Sequence, residues 1–148
     1  MELEEYRARR DFRSTPEPDG HSEETGRSRF VVQKHQASRL HYDFRLEMGG
    51  VLRSWAVPKG LPLDPGVRRL AVQVEDHPVS YIDFAGSIPE GEYGAGTVVI
   101  WDRGTFTLDK QEPDVLEITL NGETLSGEYV LVHTDGNNWL VMKRKPRQ

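Results

Sequence analysis

From Arg29 onward this sequence is a succession of short β-like runs, each closed by glycine, proline or small polar residues. Arg29–His35, His41–Glu47 and Val51–Val57 come first, separated by a polar stretch and by Gly49-Gly50. Leu70–Glu75, Thr97–Trp101, Thr105–Leu108, Val115–Leu120, Glu128–His133 and Trp139–Lys143 follow. Many short strands with such punctuation predict a mainly β fold, a compact closed or partly open β-barrel with few short helices. Asn121-Gly122 has the positive-φ chemistry of a tight turn, whereas Gly127 points to a longer loop there. At 148 residues the chain is expected to form one domain with a core that needs no disulfides.

The first 26 residues read differently. Glu4–Phe12 has the composition of a short helix, and the stretch Ser14–Gly20, with Pro16 and Pro18, stops it. Residues 21–26 are polar and small. Residues 1–26 are therefore expected to be a poorly packed, partly ordered extension whose order depends on docking, with the barrel domain spanning 27–148. There is no cysteine, which excludes a disulfide framework and thiolate metal sites. No apolar run approaches the roughly 20 residues of a spanning helix, and the N-terminus lacks the apolar stretch of a secretory signal. The expectation is a cytoplasmic protein with no membrane partner.

The chemistry concentrates in His41-Tyr42-Asp43-Phe44-Arg45-Leu46. Alternate side chains of a strand share a face, so His41, Asp43 and Arg45 point one way and Tyr42, Phe44 and Leu46 the other. With Gly49-Gly50 as a two-residue turn, Met48 pairs with Val51, Arg45 with Ser54, Asp43 with Ala56, Phe44 with Trp55 and Tyr42 with Val57. Small residues then stand opposite the polar row, leaving room for a lined cavity, while apolar residues pair on the other face. Leu46 opposite Arg53 is the one mismatch. Neutral imidazole and carboxylate suit manganese, iron or zinc, and His35, at the end of the preceding run, is a third candidate ligand. The competing reading is a surface ion-pair row.

Arg45 beside a metal would bind an oxyanion through its planar fork. His77, next to the strand end expected at Pro78, is a candidate ligand, phosphate donor or proton donor, or else a capped loop histidine. Tyr81 is a candidate phenolic donor or a packing residue. Lys59, Arg68 and Arg69 are further basic candidates. His21 and His133 have no polar constellation around them and are expected to lie off the site. The glycine-rich stretch Ile88–Gly96 lacks the lysine and helix of a P-loop; it is either a tight connection or a place where backbone approaches a phosphate. The net charge of −5 hides an asymmetry: residues 1–26 carry −4, residues 27–69 carry +6 and residues 70–148 carry −7. A local positive field of that kind attracts phosphate even on an acidic protein.

Three stretches carry a family resemblance: FVVQKHQASRLHYDFRLEMGGVLRSWAVPKG (Phe30–Gly60), RRLAVQVEDHPVSYIDFAGSIPEGEYGAGTVVIWDRG (Arg68–Gly104) and NNWLVMKRK (Asn137–Lys145). With RDFRSTPEP at Arg10–Pro18, they resemble the phosphoesterase domain of bacterial DNA ligase D over nearly the whole chain. The resemblance implies a β-barrel that uses manganese, with cobalt or zinc as other divalent ions, at the 3′ end of a DNA primer–template. It implies removal of a 3′-terminal ribonucleoside, then of the 3′-phosphate, leaving a 3′-hydroxyl for end-joining repair. It places His35, His41 and Asp43 as metal ligands and Arg45 and His77 as the phosphate-contacting pair, with Tyr81 beside them. Gln33, Lys59, Arg69 and Glu75 match positions that support activity, and Asp11 and Glu17 match acidic positions linked to ribonucleoside removal. A stand-alone member is expected, acting with a ligase or polymerase on separate chains. Two other functions compete: a two-histidine, one-carboxylate iron oxygenase on the same donor set, and a non-enzymatic DNA-end-binding barrel that relies on the basic residues of 27–69 and on exposed aromatics and needs no metal.

Overall fold

The computed structural model describes residues 3–20 and 25–146. His21, expected to lie off the site, falls outside the described residues. A short helix α1 (Glu4–Ala8) precedes three strands, β1 (Arg29–Gln36), β2 (Leu40–Met48) and β3 (Val51–Val57). β4 (Arg68–Pro78), a 3₁₀ turn (Val79–Asp83), β5 (Gly86–Ile88), β6 (Gly96–Glu112), β7 (Val115–Gly122), β8 (Ser126–Asp135) and β9 (Asn138–Lys143) follow. Every pairing is antiparallel, in the order β1-β2-β3-β4-β9-β8-β7-β6, and β6 returns to β1. Eight strands thus close a barrel, and β5 hangs on the free side of β6.

The β2–β3 hairpin has the register read from the sequence, from Met48↔Val51 to Tyr42↔Val57. Gly49 (φ 60°) and Gly50 (φ 82°) both adopt the left-handed conformation that a two-residue turn between twisted strands requires. Phe44, Leu46, Trp55 and Val57 consequently point into the barrel and pack with Phe30, Val32, Leu131 and Trp139. Burying each such side chain contributes about 1.5–3 kcal/mol before the entropy of ordering is counted. The mismatch of Leu46 with Arg53 also resolves. Arg53 points inward near an open end of the barrel, its guanidinium 5.2 Å from the Trp55 ring centroid and 5.3 Å from that of Trp139.

The predicted runs Thr97–Trp101 and Thr105–Leu108 are one strand, β6, passing through Gly104. That glycine marks a close approach, not a turn: a Cβ there would collide with the Asn121 carbonyl of β7. The loop between β7 and β8 is the longer form, with Asn121 pairing Ser126. β5 was not anticipated, since its three residues carry no alternation.

The first residues are better packed than their composition suggests. α1 stops at Ala8, short of the expected Phe12, because the chain turns at Asp11, whose backbone and carboxylate oxygens accept from Ser14 and Arg13. Leu3 and Tyr6 are fully buried in a second apolar cluster with Val31, Leu52, Tyr81 and Ile82. This cluster lies against β1, β3 and the 3₁₀ turn, and Leu3 and Tyr6 are packed into it. Tyr6 Oη donates to the Pro18 carbonyl and Arg7 to the Gly20 carbonyl, which tie the segment back on itself.

Candidate active site

The polar row of β2 faces outward from the barrel into a cleft of about 290 Å³ roofed by the N-terminal segment and the glycine-rich loop. Ser54 and Ala56, opposite Arg45 and Asp43, supply the room. A register shift brings the fourth wall into place. Leu52 pairs with His77 and Ser54 with Val74, so one residue of β3, Arg53, is opposed by two of β4, Glu75 and Asp76. The bulge at Glu75-Asp76 turns His77 and Glu75 onto the cleft while Asp76 lines a wider cavity on the far side.

His35, His41 and Asp43 each offer one ligand atom, and these atoms lie within 4.8 Å of one another. Among the described residues they are the one group of three such side chains placed to share an ion. Asp43 is buried, 3.4 Å from His35 Nδ1 and 3.1 Å from His41 Nε2. The other nitrogen of each ring lies against a backbone carbonyl: His35 Nε2 at 2.7 Å from Gly94, His41 Nδ1 at 3.3 Å from Arg39. Those carbonyls accept N–H bonds, which fixes the tautomers and leaves the two nitrogens facing Asp43 as donors to a metal. The donor set therefore suits a divalent ion such as manganese, zinc or cobalt. The hydrogen bond to Asp43 raises the His41 pKa, so a proton competes with an ion for that ring.

Arg45 lies beside the triad with its side chain only 4% exposed. Its Nε donates to Gln33 Oε1 at 2.6 Å, and its guanidinium sits 4.8 Å from the Tyr81 ring centroid. Gln33 is itself pinned, donating to the carbonyls of Tyr81 and Phe84. Arg45 Nη2 is 3.6 Å from Asp43 Oδ2, while Nη1 is buried without a hydrogen-bond partner among the described residues. Burial alone would raise the Asp43 pKa, but Arg45 and the two histidines outweigh it and hold the carboxyl far below the usual range.

His77 Nδ1 is 3.0 Å from the Glu75 carbonyl, which accepts its N–H; Nε2 is left to accept from Arg10 at 3.4 Å. Burial, then the positive charges of Arg45 and Arg10, hold its pKa well below the ordinary imidazole value. Tyr81 Oη donates to Glu17 Oε2 at 2.7 Å, and burial pushes the phenol pKa up. Arg10 joins these parts. It bonds Glu17 at 3.0 Å and Glu75 at 3.2 Å, and stacks 3.9 Å from the Tyr6 ring centroid.

The structure thus brings Glu17, Gln33, His35, His41, Asp43, Arg45, Glu75, His77 and Tyr81 together. Lys59 is exposed, and Arg69 donates to the carbonyls of Lys59 and Gly60, which steadies the β3–β4 connection away from the cleft walls. Asp11 is exposed in its own turn. Arg10 and Tyr93, both on the cleft wall, were not singled out by sequence reasoning. His133 lies off the site, between Asp114 and the Gly136 carbonyl.

The lowered His77 pKa has a measurable consequence for stability. Folded His77 stays neutral where the unfolded imidazole, near pKa 6.5, takes a proton. Its contribution is fully present above pH ~6.5 and is lost as pH falls toward its folded pKa, at up to about 1.4 kcal/mol per pH unit. His77→Gln is expected to flatten the fall in unfolding free energy between about pH 6.5 and 5 relative to wild type. Parallel curves for the two proteins in denaturant titrations would contradict a neutral His77.

Residues 33–133 match the family described as the DNA Ligase D 3′-phosphoesterase domain. The multifunctional non-homologous end joining protein LigD of Pseudomonas aeruginosa is 56% identical over 155 residues, covering 97% of this chain and 18% of that protein. Its namesake in Mycolicibacterium smegmatis is 47% identical over 99% of this chain and 21% of its own length. The Mycobacterium tuberculosis H37Rv protein is 49% identical over 97% and 20%. The chain thus spans about a fifth of the length of these relatives. Both the extent of the match and its identity place this chain in the DNA ligase D 3′-phosphoesterase domain family.

Proposed function

We propose that the chain is a metal-dependent DNA 3′-end phosphoesterase. It removes a 3′-terminal ribonucleoside and then the 3′-phosphate, leaving a 3′-hydroxyl for end-joining repair. The observation that carries this reading is the unpartnered, buried Nη1 of Arg45 beside a two-histidine, one-carboxylate triad. An unsatisfied buried guanidinium N–H is costly, and an entering phosphoryl oxygen satisfies it.

His35, His41 and Asp43 are the residues to hold the ion, manganese by the family resemblance and cobalt or zinc by donor type. A divalent ion there supplies Lewis-acid stabilisation of charge developing on a phosphoryl oxygen. Arg45 supplies a second cation, held in plane by Gln33 and Tyr81, so little reorganisation is needed as that charge grows. His77 enters neutral, with only Nε2 available. Burial keeps it so first, then the two guanidinium charges; a bound phosphate dianion offsets the second of these causes, and a proton taken at Nε2 would be placed for donation to a phosphoryl or leaving oxygen. Glu17 and Glu75 position Arg10, and Glu17 accepts from Tyr81. Lys59, Arg69 and Asp11 would act through the surrounding loops rather than at the phosphate.

The deciding experiment uses a labelled primer–template ending in one 3′-ribonucleotide, incubated with manganese or with EDTA. Stepwise conversion to a 3′-phosphate and then a 3′-hydroxyl, with metal only, is expected. An unchanged primer with folded, metal-loaded protein would instead favour an end-binding barrel that processes nothing. Ligase and polymerase partners belong to the same proposal and are tested by coupling this product to end sealing.

A further inference from the structure

We propose that the ring of Tyr93 is the seat of the terminal nucleobase, the leaving nucleoside stacking on it while its phosphodiester lies between Arg45 and the metal triad. The inference rests on reading the cleft as a phosphodiester site. Tyr93 is 47% exposed although it lines that cleft, whereas the other tyrosine on the wall, Tyr81, is 3% exposed. Open aromatic surface beside a polar, charge-lined cleft is what a sequence-tolerant base platform needs, because every nucleobase has a π-face.

The ring is also held still. Arg9 Nη1 donates to its Oη at 2.7 Å and is anchored in turn by Glu75 at 2.6 Å. The guanidinium carbons of Arg9 and Arg10 lie 5.0 and 5.3 Å from the ring centroid. The loop that carries it is two consecutive turns, Glu92 N–H to Pro89 and Ala95 N–H to Glu92. Positive φ at Gly91 and Gly94 permits that path. The next residue, Gly94, is the one whose carbonyl holds His35. One loop therefore sets a metal ligand and a half-exposed aromatic ring at a fixed spacing. A ring ordered before the base arrives loses little entropy on stacking.

A 3′-phosphate end has no base beyond the phosphate, so the platform serves only the first of the two reactions. Four primer ends distinguish this role from a structural one: a ribonucleoside, an abasic ribose, a 3′-phosphate, and a 2-aminopurine ribonucleoside read by fluorescence in EDTA. Tyr93→Ala is expected to raise KM about tenfold for the ribonucleoside end with kcat nearly unchanged. It should leave the 3′-phosphate end untouched and add nothing to the loss caused by an abasic terminus. Tyr93→Phe, which keeps the ring and loses the bond to Arg9, should behave as wild type. Quenching of 2-aminopurine by wild type and not by Tyr93→Ala reads the stack without turnover. Equal losses on every end, or quenching indifferent to Tyr93, would overturn the platform. A wild type that quenches but turns over no end would sink the phosphoesterase reading and leave the platform standing.

Discussion

Asp43→Asn is expected to lower metal-supported turnover by about three orders of magnitude or more, corresponding to several kcal/mol of lost charge stabilisation. The side chain keeps its volume and loses the single negative charge among two histidines and Arg45. Metal affinity should fall in parallel, because a neutral amide is a poor ligand for a divalent ion. Stability of the metal-free protein should fall too, by about 3–5 kcal/mol at most, since the buried Arg45 loses its counter-charge. The sign of the pH dependence follows from the depressed Asp43 pKa. Its stabilisation is present above the unfolded value near pH 3.9 and is lost as pH falls below it toward the folded value. His41→Ala separates the two effects, because His41 is the more exposed ligand, with a side chain 25% exposed. That variant should lose turnover comparably while unfolding close to wild type. Manganese titration, denaturant melts and the primer assay together check both. Retention of turnover within about tenfold in Asp43→Asn would remove the triad from the mechanism.

The hairpin was legible because its information is local. Strand alternation and a Gly-Gly turn fix which of residues 41–57 share a face, and the register follows without any distant contact. The barrel class was legible for the same reason, from the density of turn residues. What could not be read is what depends on distant partners. Arg10 lies in a polar stretch without periodicity, and its place in the cleft comes from Glu75, 65 residues away, and from the Tyr6 ring. The bulge opposite Arg53 has no local signature, yet without it alternation from Val74 would aim His77 away from the cleft. Gly104 looked like a boundary because a glycine required by close packing and one required by a turn are written alike. Tyr93 was hidden inside a stretch read only for its glycines.

Arg45→Lys is expected to cost about two to three orders of magnitude in kcat/KM for a 3′-phosphate end, nearly as much as Arg45→Ala. Charge is conserved in the lysine variant, so charge alone does not carry the prediction. Arg45 makes three directed uses of one plane: Nε to Gln33, Nη2 toward Asp43 and Nη1 left open beside the triad. An ammonium has no planar fork. Its donors radiate from one atom, so it cannot hold Gln33 and Asp43 and still present an N–H where Nη1 stands. The flat contact with Tyr81, 4.8 Å from the guanidinium carbon, is lost as well. Buried beside the same ring, a lysine also has an escape that arginine lacks: it sheds its proton, leaving Asp43 without a permanent counter-ion. Metal binding should survive in Arg45→Lys, since the three ligand side chains and the carbonyls of Gly94 and Arg39 are untouched. The expected pattern is therefore near-normal manganese affinity with phosphate affinity and turnover lost together. The opposite pattern, manganese lost while inorganic phosphate still inhibits as in wild type, would make Arg45 a support for Asp43 and not a contact to the phosphate.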